Sequence, residues 1–247
     1  MTITYENRLT AYVDILGWSD AIKTESASSL YAALEPIVQR AAFNSQHHRN
    51  ALIEELGTQV NPLMLEVQFG FFSDCLVLSI PVSMEGRIFD VISHISMKLL
   101  QRGFTVRGGV SVGNLFHNDQ IIFGPALIEA HNIEREQAKF SRVMIDPKVI
   151  TVTGAQPQYA VMRDSDNNWV VDIFPCQATS SNMRNLLEQL YDPDLIINVI
   201  KTKLISTREI QSSNEKWRYQ AGLCAYSLKK YGDVAQDWVD ELNLLVS

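Results

Sequence analysis

The stretch Tyr12-Val-Asp-Ile-Leu-Gly-Trp-Ser19 decides the fold of this chain. Residues 8 to 16 form a β-prone apolar run that is interrupted by one acid, Asp14, and residues 17 to 20 then supply a turn with helix-capping residues. This pattern predicts a strand that runs directly into a helix. A carboxylate inside an apolar strand is costly unless it is paired or bound to a cation, so Asp14 is a candidate metal ligand.

A second acid, Asp74, lies where a hairpin is expected. Residues 63 to 71 and 75 to 82 have the pattern of two strands joined by a tight turn, which places Asp74 at the tip. If the first strand is a neighbour of this hairpin, Asp14 and Asp74 converge, and two carboxylates together with substrate phosphates are the ligands expected for Mg²⁺ or Mn²⁺. The alternative is that Asp14 caps the following helix and Asp74 only shapes a turn.

The remaining pattern predicts an α+β fold of the ferredoxin-like kind, with a βαββαβ core, extra α and β elements, and helices on one face of the sheet. Residues 1–150 are expected to form this domain, and residues 151–247 an edge hairpin and a C-terminal helical extension that packs on it. The other predicted elements are a helix over 86–102, a strand over 104–112, a turn over 114–120, a helix from Gly124-Pro125, a strand over 142–145 and a short helix at Pro147. Gly108 and Gly109 within the strand indicate a close backbone approach or a bulge. The chain from residue 182 onward is expected to be helical, with breaks at Asp192-Pro193 and Gly232.

Composition limits the possible functions. The 247 residues are 46% apolar, enough for one main domain, and the formal charge of −7 argues against a protein that binds a nucleic-acid polymer. The sequence has neither a signal-peptide pattern nor an apolar run of membrane-spanning length, so we expect a cytoplasmic protein without a membrane partner. The three cysteines, Cys75, Cys176 and Cys224, are widely spaced and are interpreted as buried free thiols rather than a disulfide frame or a zinc site.

These segments resemble the class III nucleotidyl cyclase family over about residues 8 to 150. The first motif of that family, F-x-D-I-x-G-F-[ST], is matched by residues 12 to 19, and its hairpin G-D is matched by Ser73-Asp74. Its later strand, R-x-G-[IV]-x-x-G, is similar to Arg107-Gly-Gly-Val-Ser-Val-Gly113.

The resemblance implies an enzyme that converts a nucleoside triphosphate into a 3′,5′-cyclic nucleotide and pyrophosphate. It implies two Mg²⁺ or Mn²⁺ ions bridged by Asp14 and Asp74, with the carbonyl of Ile15 as a further ligand, and Arg107 near a phosphate or the base. It also implies a homodimer with shared active sites. The residues that it places near the nucleotide are Leu16, Gly17, Trp18, Ser19, Ser73, Glu129 and Asn132.

The chain departs from the purine cyclases of this family at four positions. Ile128 and Asn132 stand where those enzymes usually carry an Asn and an Arg, and Gly70 and Ile121 stand at the positions that usually read the purine. The pattern is compatible with the pyrimidine cyclases of Pycsar antiphage systems, which form cUMP or cCMP. Two other hypotheses stay open: a catalytically inactive cyclase-like regulatory or nucleotide-binding module, and a metal-dependent phosphotransferase of the related palm architecture.

Overall fold

The computed structural model describes residues 4–56, 67–118, 120–154, 159–175 and 182–246, without the side chains of residues 40–49, 51, 52, 55 and 56. Cys176 and the predicted start of the second strand at residue 63 lie outside the described residues. Among the helices described, none has an apolar stretch of the length needed to cross a bilayer.

Within the described ranges, eight strands form a mixed sheet in the order β2-β3-β1-β4-β6-β8-β7, and β5 pairs with the end of β4. The strands are β1 (Glu6–Leu16), β2 (Gln68–Phe72), β3 (Cys75–Pro81), β4 (Thr105–His117), β5 (Ile122–Phe123), β6 (Val143–Ile145), β7 (Val161–Arg163) and β8 (Trp169–Val171). The first strand therefore lies between the hairpin strand β3 and β4, which confirms the mixed α+β class and the expected neighbours of β1.

The helices of the described residues are α1 (Trp18–Thr24), α2 (Ala27–Leu56), α3 (Arg87–Gln101), α4 (Pro125–Glu136), α5 (Pro147–Thr153), α6 (Met183–Tyr191), α7 (Pro193–Ser206), α8 (Gln211–Leu228) and α9 (Gln236–Val246). One helix was expected after the first strand, but the structure has two. The chain breaks at Glu25, which is extended, and the Ser26 hydroxyl then accepts a hydrogen bond from the amide of Ser29.

The expectation that all helices cover one face of the sheet is wrong. Alternate residues of a strand point to opposite faces, and Leu9, Ala11, Val13 and Ile15 of β1 join the main apolar core with α3. The opposite face, which carries Tyr12, Asp14 and Arg107 and is called here the polar face, is covered in part by α4.

Gly109 is the reason that α4 can lie on the polar face. A Cβ at this position would lie 2.3 Å from the carbonyl oxygen of Ala130 and 2.7 Å from the Cβ of Ile133, both on α4. Only glycine allows the strand and the helix to approach this closely at position 109. A Cβ on Gly108 would instead lie 2.6 Å from the carbonyl oxygen of Tyr12 on β1, so both glycines of the pair lie at a close backbone approach.

The strand β4 is longer than predicted. The turn expected from Asn114 begins instead after His117. Asn114 and Leu115 continue the ladder with β1, and Phe116 and His117 pair with β5. The turn itself is closed by the Asn118 side chain, which accepts hydrogen bonds from the amides of Gln120 and Ile121.

The C-terminal helices build a second apolar core. It is formed by α6 to α9 with Met97 and Leu100 of α3, and Trp238 lies at its centre, 1% exposed. The chain breaks between helices at Asp192-Pro193 and at Gly232, as predicted, and Asp192 caps α7 through the amide of Leu195.

Candidate metal and nucleotide site

Two acids and a thiol meet at one end of the polar face. A carboxylate oxygen of Asp14, a carboxylate oxygen of Asp74 and the Sγ of Cys75 all lie within 4.8 Å of one another, and the three residues are half-buried. Asp14 is opposite Cys75 in the β1–β3 register, and the amide of Ile15 donates a hydrogen bond to the carbonyl oxygen of Asp74 at 2.8 Å. The backbone ladder therefore fixes the separation of the two carboxylates.

The donor set fits a hard divalent cation. Carboxylate and carbonyl oxygens are the ligands that Mg²⁺ and Mn²⁺ prefer, whereas a thiol favours softer metals. Since the N–H and C=O of an extended residue point to the same strand edge, the carbonyl of Ile15 lies on the Asp74 side, where the sequence analysis expected a third ligand. Asp14 caps no helix, because α1 begins after Gly17 without a side-chain cap.

Arg107 connects Asp14 to a buried acid on α4. Its Nε donates to Glu134 Oε1 at 2.5 Å, and its Nη2 lies 3.4 Å from Asp14 Oδ2. The Glu134 side chain is 6% exposed and that of Arg107 is 30% exposed, so the closer ion pair is also the better shielded one. The long contact leaves Asp14 available to a metal ion while the guanidinium holds the carboxylate in place.

Burial raises the pKa of Asp14 above its ordinary value. Arg107 opposes this shift, whereas the negative charges of Glu134 and Asp74 add to it. A carboxylate that is costly to ionise gains most from a bound cation, because the cation supplies the charge that burial and two acidic neighbours disfavour. The electrostatics therefore agree with the geometry.

Tyr12, Cys75 and Glu134 also lie at this candidate site, and the sequence analysis did not predict them as site residues. The Tyr12 hydroxyl and Cys75 Sγ are 2.9 Å apart, and the ring of His131 on α4 packs edge-on against Tyr12. Burial raises the pKa of both the Tyr12 phenol and the Cys75 thiol, so both groups are neutral here at pH 7. Two features of the sequence could have indicated them: Cys75 follows Asp74 directly, and Glu134 follows the apolar residue Ile133 of α4.

The predicted nucleotide-binding turn has divided roles. Leu16 and Gly17 line an adjacent cavity, and Gly17 has φ +87°, a left-handed conformation that suits glycine. The Trp18 side chain is 3% exposed and packs against Phe104, so only its backbone can serve a ligand. The Ser19 hydroxyl donates to Asp74 Oδ2 at 3.5 Å, a long contact.

The three remaining predicted nucleotide-binding residues are Ser73, next to Asp74, and Glu129 and Asn132 on α4. Ser73 is exposed at the hairpin tip with φ +58°, which directs the chain into Asp74. Glu129 is exposed and Asn132 is half-buried, both on α4. Their expected role in the site of a partner subunit stays a prediction.

No protein-family model matches the chain, and no curated protein matches it. Among solved structures, the chain is similar to the RhGC guanylate cyclase domain from Catenaria anguillulae in complex with GTP, with 13% identity, 69% of this chain and 99% of that chain covered, and a TM-score of 0.40. It is also similar to the dimeric guanylyl cyclase domain of the RhoGC fusion protein from Blastocladiella emersonii, with 13% identity, 69% and 96% coverage and a TM-score of 0.44.

A third similar structure is the adenylyl cyclase CyaB from P. aeruginosa, with 16% identity, 69% of this chain and 96% of that chain covered, and a TM-score of 0.39. These values are too low for the likeness to decide an activity or a substrate. The chemistry has to be inferred from the side chains themselves.

Proposed function

We propose that this protein is a metal-dependent nucleotidyl cyclase, which converts a nucleoside triphosphate into a 3′,5′-cyclic nucleotide and pyrophosphate. The observation that carries the proposal is the convergence of Asp14 and Asp74, with carboxylate oxygens within 4.8 Å of each other. The motif resemblance over residues 12 to 19 and at Ser73-Asp74 supports the same reaction.

The reaction forms one bond and breaks one bond at the α-phosphorus. The ribose 3′-oxygen attacks, its proton passes to solvent, and the bond to the bridging oxygen breaks so that pyrophosphate leaves with the electron pair. Two divalent ions would lower the pKa of the 3′-hydroxyl and neutralise charge on the phosphates. Asp14 and Asp74 would hold these ions, with the Ile15 carbonyl as a further ligand.

Arg107 is proposed as a positioning residue for the metal ligand. Its guanidinium is anchored by Glu134 and restricts Asp14 from one side. Asp74 is oriented from the other side by the Ile15 amide, which binds its carbonyl oxygen. The two ligands are thus preorganised, which reduces the cost of assembling the site when substrate arrives.

We propose a pyrimidine triphosphate, UTP or CTP, as substrate. Gly70 and Ile121 offer no charged side chain at the positions where the purine cyclases read the base, and Ile121 is 54% exposed. The cyclic product would serve as a cytoplasmic signal, and an antiphage role follows from the resemblance to pyrimidine cyclases. A homodimer with shared sites is part of the proposal, with Glu129 and Asn132 reaching the partner.

An inactive nucleotide-binding module is the second candidate. The observation that favours it is Ile128, which is 63% exposed on α4 where active purine cyclases usually carry an Asn. Such a module would bind metal and triphosphate at the same acids without turnover.

Incubation of the purified chain with ATP, GTP, CTP and UTP, each with Mn²⁺ or Mg²⁺, tests the proposal when products are identified by mass spectrometry. We expect cUMP or cCMP from the unaltered protein, and loss of product in Asp14→Asn and Asp74→Asn. Asp233→Asn, an exposed acid among the C-terminal helices, is the matched control and should retain full activity.

The outcomes separate the two candidates. Triphosphate binding that requires Asp14 and Asp74, without any cyclic product, would establish the inactive module. A cyclic purine product would refute the pyrimidine assignment but keep the cyclase. Molecular mass in solution by light scattering tests the homodimer, and a monomer that turns over substrate would exclude shared sites.

A further inference from the structure

A cavity of about 320 Å³ lies beside the acids, between the β1–α1 turn and the C-terminal helices. Leu16 and Gly17, two and three residues after Asp14, line this cavity together with Thr105, which pairs with Leu16 at the start of β4. Lys203 of α7 and Lys216 of α8 also line it. The volume is at the lower end of the range for small-molecule sites.

Both lysines are held toward this cavity. A Cβ on Gly103 would lie 2.7 Å from Cε and 3.2 Å from Nζ of Lys203, so the end of this side chain lies directly over the Gly103 backbone. Lys203 Nζ is also 5.9 Å from the ring centroid of Trp217. Lys216 is half-buried and close enough to Asp14 to lower the pKa of its carboxyl group. Two cations from the extension thus line the cavity next to the β1–α1 turn, and Lys216 is the one that interacts with Asp14.

The acids in the same cavity already have partners. Asp20 forms an ion pair with Lys23 at 3.2 Å, and its side chain is 87% exposed. Glu25 accepts a hydrogen bond from the Ser29 hydroxyl at 2.7 Å. Lys203 and Lys216 form no ion pair with an acid within the described part of the chain. Their positive charge is therefore available to an anion.

Charge balance supports a polyphosphate as the anion. A triphosphate has about four negative charges at neutral pH, and two divalent ions held by two carboxylates offset only about two of them. Helix α1 has seven residues and contributes little field at its end. Two ammonium groups beside the acids are the charge that remains to be supplied.

We propose that Lys203 and Lys216 bind the terminal phosphates of the substrate triphosphate, so that the C-terminal extension supplies phosphate ligands to the site of its own chain. The inference rests on the proposed function for the identity of the anion. It gives residues 193–228, which the sequence analysis assigned only to packing, a direct part in ligand binding.

Calorimetric titration of the full chain with inorganic tripolyphosphate in the presence of Mn²⁺ tests the inference without any turnover. We expect Lys216→Met and Lys203→Met each to raise the Kd about tenfold, since charge-assisted hydrogen bonds have roughly this strength. Lys148→Met, an exposed lysine on α5 at the opposite end of β4, is the matched control and should leave the Kd unchanged.

A second measurement separates a lost phosphate ligand from a damaged metal site. Lys216→Met removes a positive charge near Asp14, so Mn²⁺ binding measured by electron paramagnetic resonance without phosphate should become tighter, not weaker. Lys216→Arg keeps the charge and should retain tripolyphosphate binding. Weaker Mn²⁺ binding in Lys216→Met would show a damaged site and overturn the assignment.

The result that would overturn the inference outright is a Kd for tripolyphosphate that stays within about twofold in Lys203→Met and Lys216→Met. Absence of tripolyphosphate binding by the unaltered chain would also overturn it. Failure of the cyclase proposal is distinct, because it would appear as lysine-dependent tripolyphosphate binding without a cyclic product from any of the four nucleotides.

Discussion

Removal of Arg107 is the perturbation that best tests how the site is held together. In Arg107→Met, the Glu134 carboxylate loses its ion pair while its side chain is only 6% exposed. Breaking a buried ion pair by removing one partner costs roughly 3–5 kcal/mol. Because 30% of the Arg107 side chain is exposed, we expect the lower end, about 3 kcal/mol of lost unfolding free energy.

A double-mutant cycle adds Glu134→Gln, which removes the buried negative charge that Arg107→Met leaves without a partner. Glu134→Gln in the Arg107→Met background should restore about 2 kcal/mol, since the neutral amide no longer requires a cation in the buried position. The rest of the lost unfolding free energy comes from Asp14, whose carboxylate also loses its contact with the Arg107 guanidinium. Arg135→Met, whose side chain is 62% exposed, is the matched control and should change stability by less than about 0.5 kcal/mol.

Urea denaturation followed by far-ultraviolet circular dichroism measures these free energies. If the double variant is less stable than Arg107→Met by the full cost of Glu134→Gln alone, the two effects are additive and the side chains of Arg107 and Glu134 do not interact. That result would favour the other role expected for Arg107, a contact with a phosphate or the base.

Three further predictions follow from the contacts. Gly109→Ala should destabilise the fold by about 3 kcal/mol in a urea titration, because the new Cβ meets the α4 backbone. Gly222→Ala in α8 should stabilise the fold by about 0.5–1 kcal/mol, because a Cβ there lies 3.9 Å from its nearest neighbour and alanine favours the helix. Equal effects of the two substitutions would contradict this prediction. Burial lowers the pKa of His117 to about 4. Between about pH 6.5 and 4 the unfolded chain therefore binds a proton at His117 that the native chain does not. The free energy of unfolding should fall by about 3 kcal/mol as the pH drops through this range. His117→Gln should make the free energy of unfolding less dependent on pH over this range. An unchanged pH dependence in this variant would refute the role of His117. Burial and the charge of Asp74 raise the pKa of the Cys75 thiol, so iodoacetamide should alkylate Cys75 slowly at pH 8. Alkylation, followed by mass spectrometry of peptides, should be faster in Asp74→Asn because that variant removes the negative charge. An equal or slower rate in Asp74→Asn would contradict the electrostatic coupling of the two side chains.

Much of the site could be predicted because its decisive residues break local rules. Asp14 is an acid in an apolar strand and Asp74 lies at a hairpin tip, so periodicity and turn chemistry suffice to place both, and the strand order brings them together. The boundaries were less accurate. The strand β4 continues to Leu115 because it pairs with β1 and to His117 because it pairs with β5, and such pairing is not encoded in the local pattern.

The sequence alone determined the two acids at adjacent strand ends, the α+β class and the breaks at Asp192-Pro193 and Gly232, because each depends on short-range backbone preferences or on the cost of a charge in an apolar run. The tertiary structure alone decided that α4 lies on the polar face, that Glu134 anchors Arg107, and that Lys203 and Lys216 line one cavity with Leu16 and Gly17. These contacts join residues far apart in the chain, and their partners are selected by how helices pack on a finished sheet.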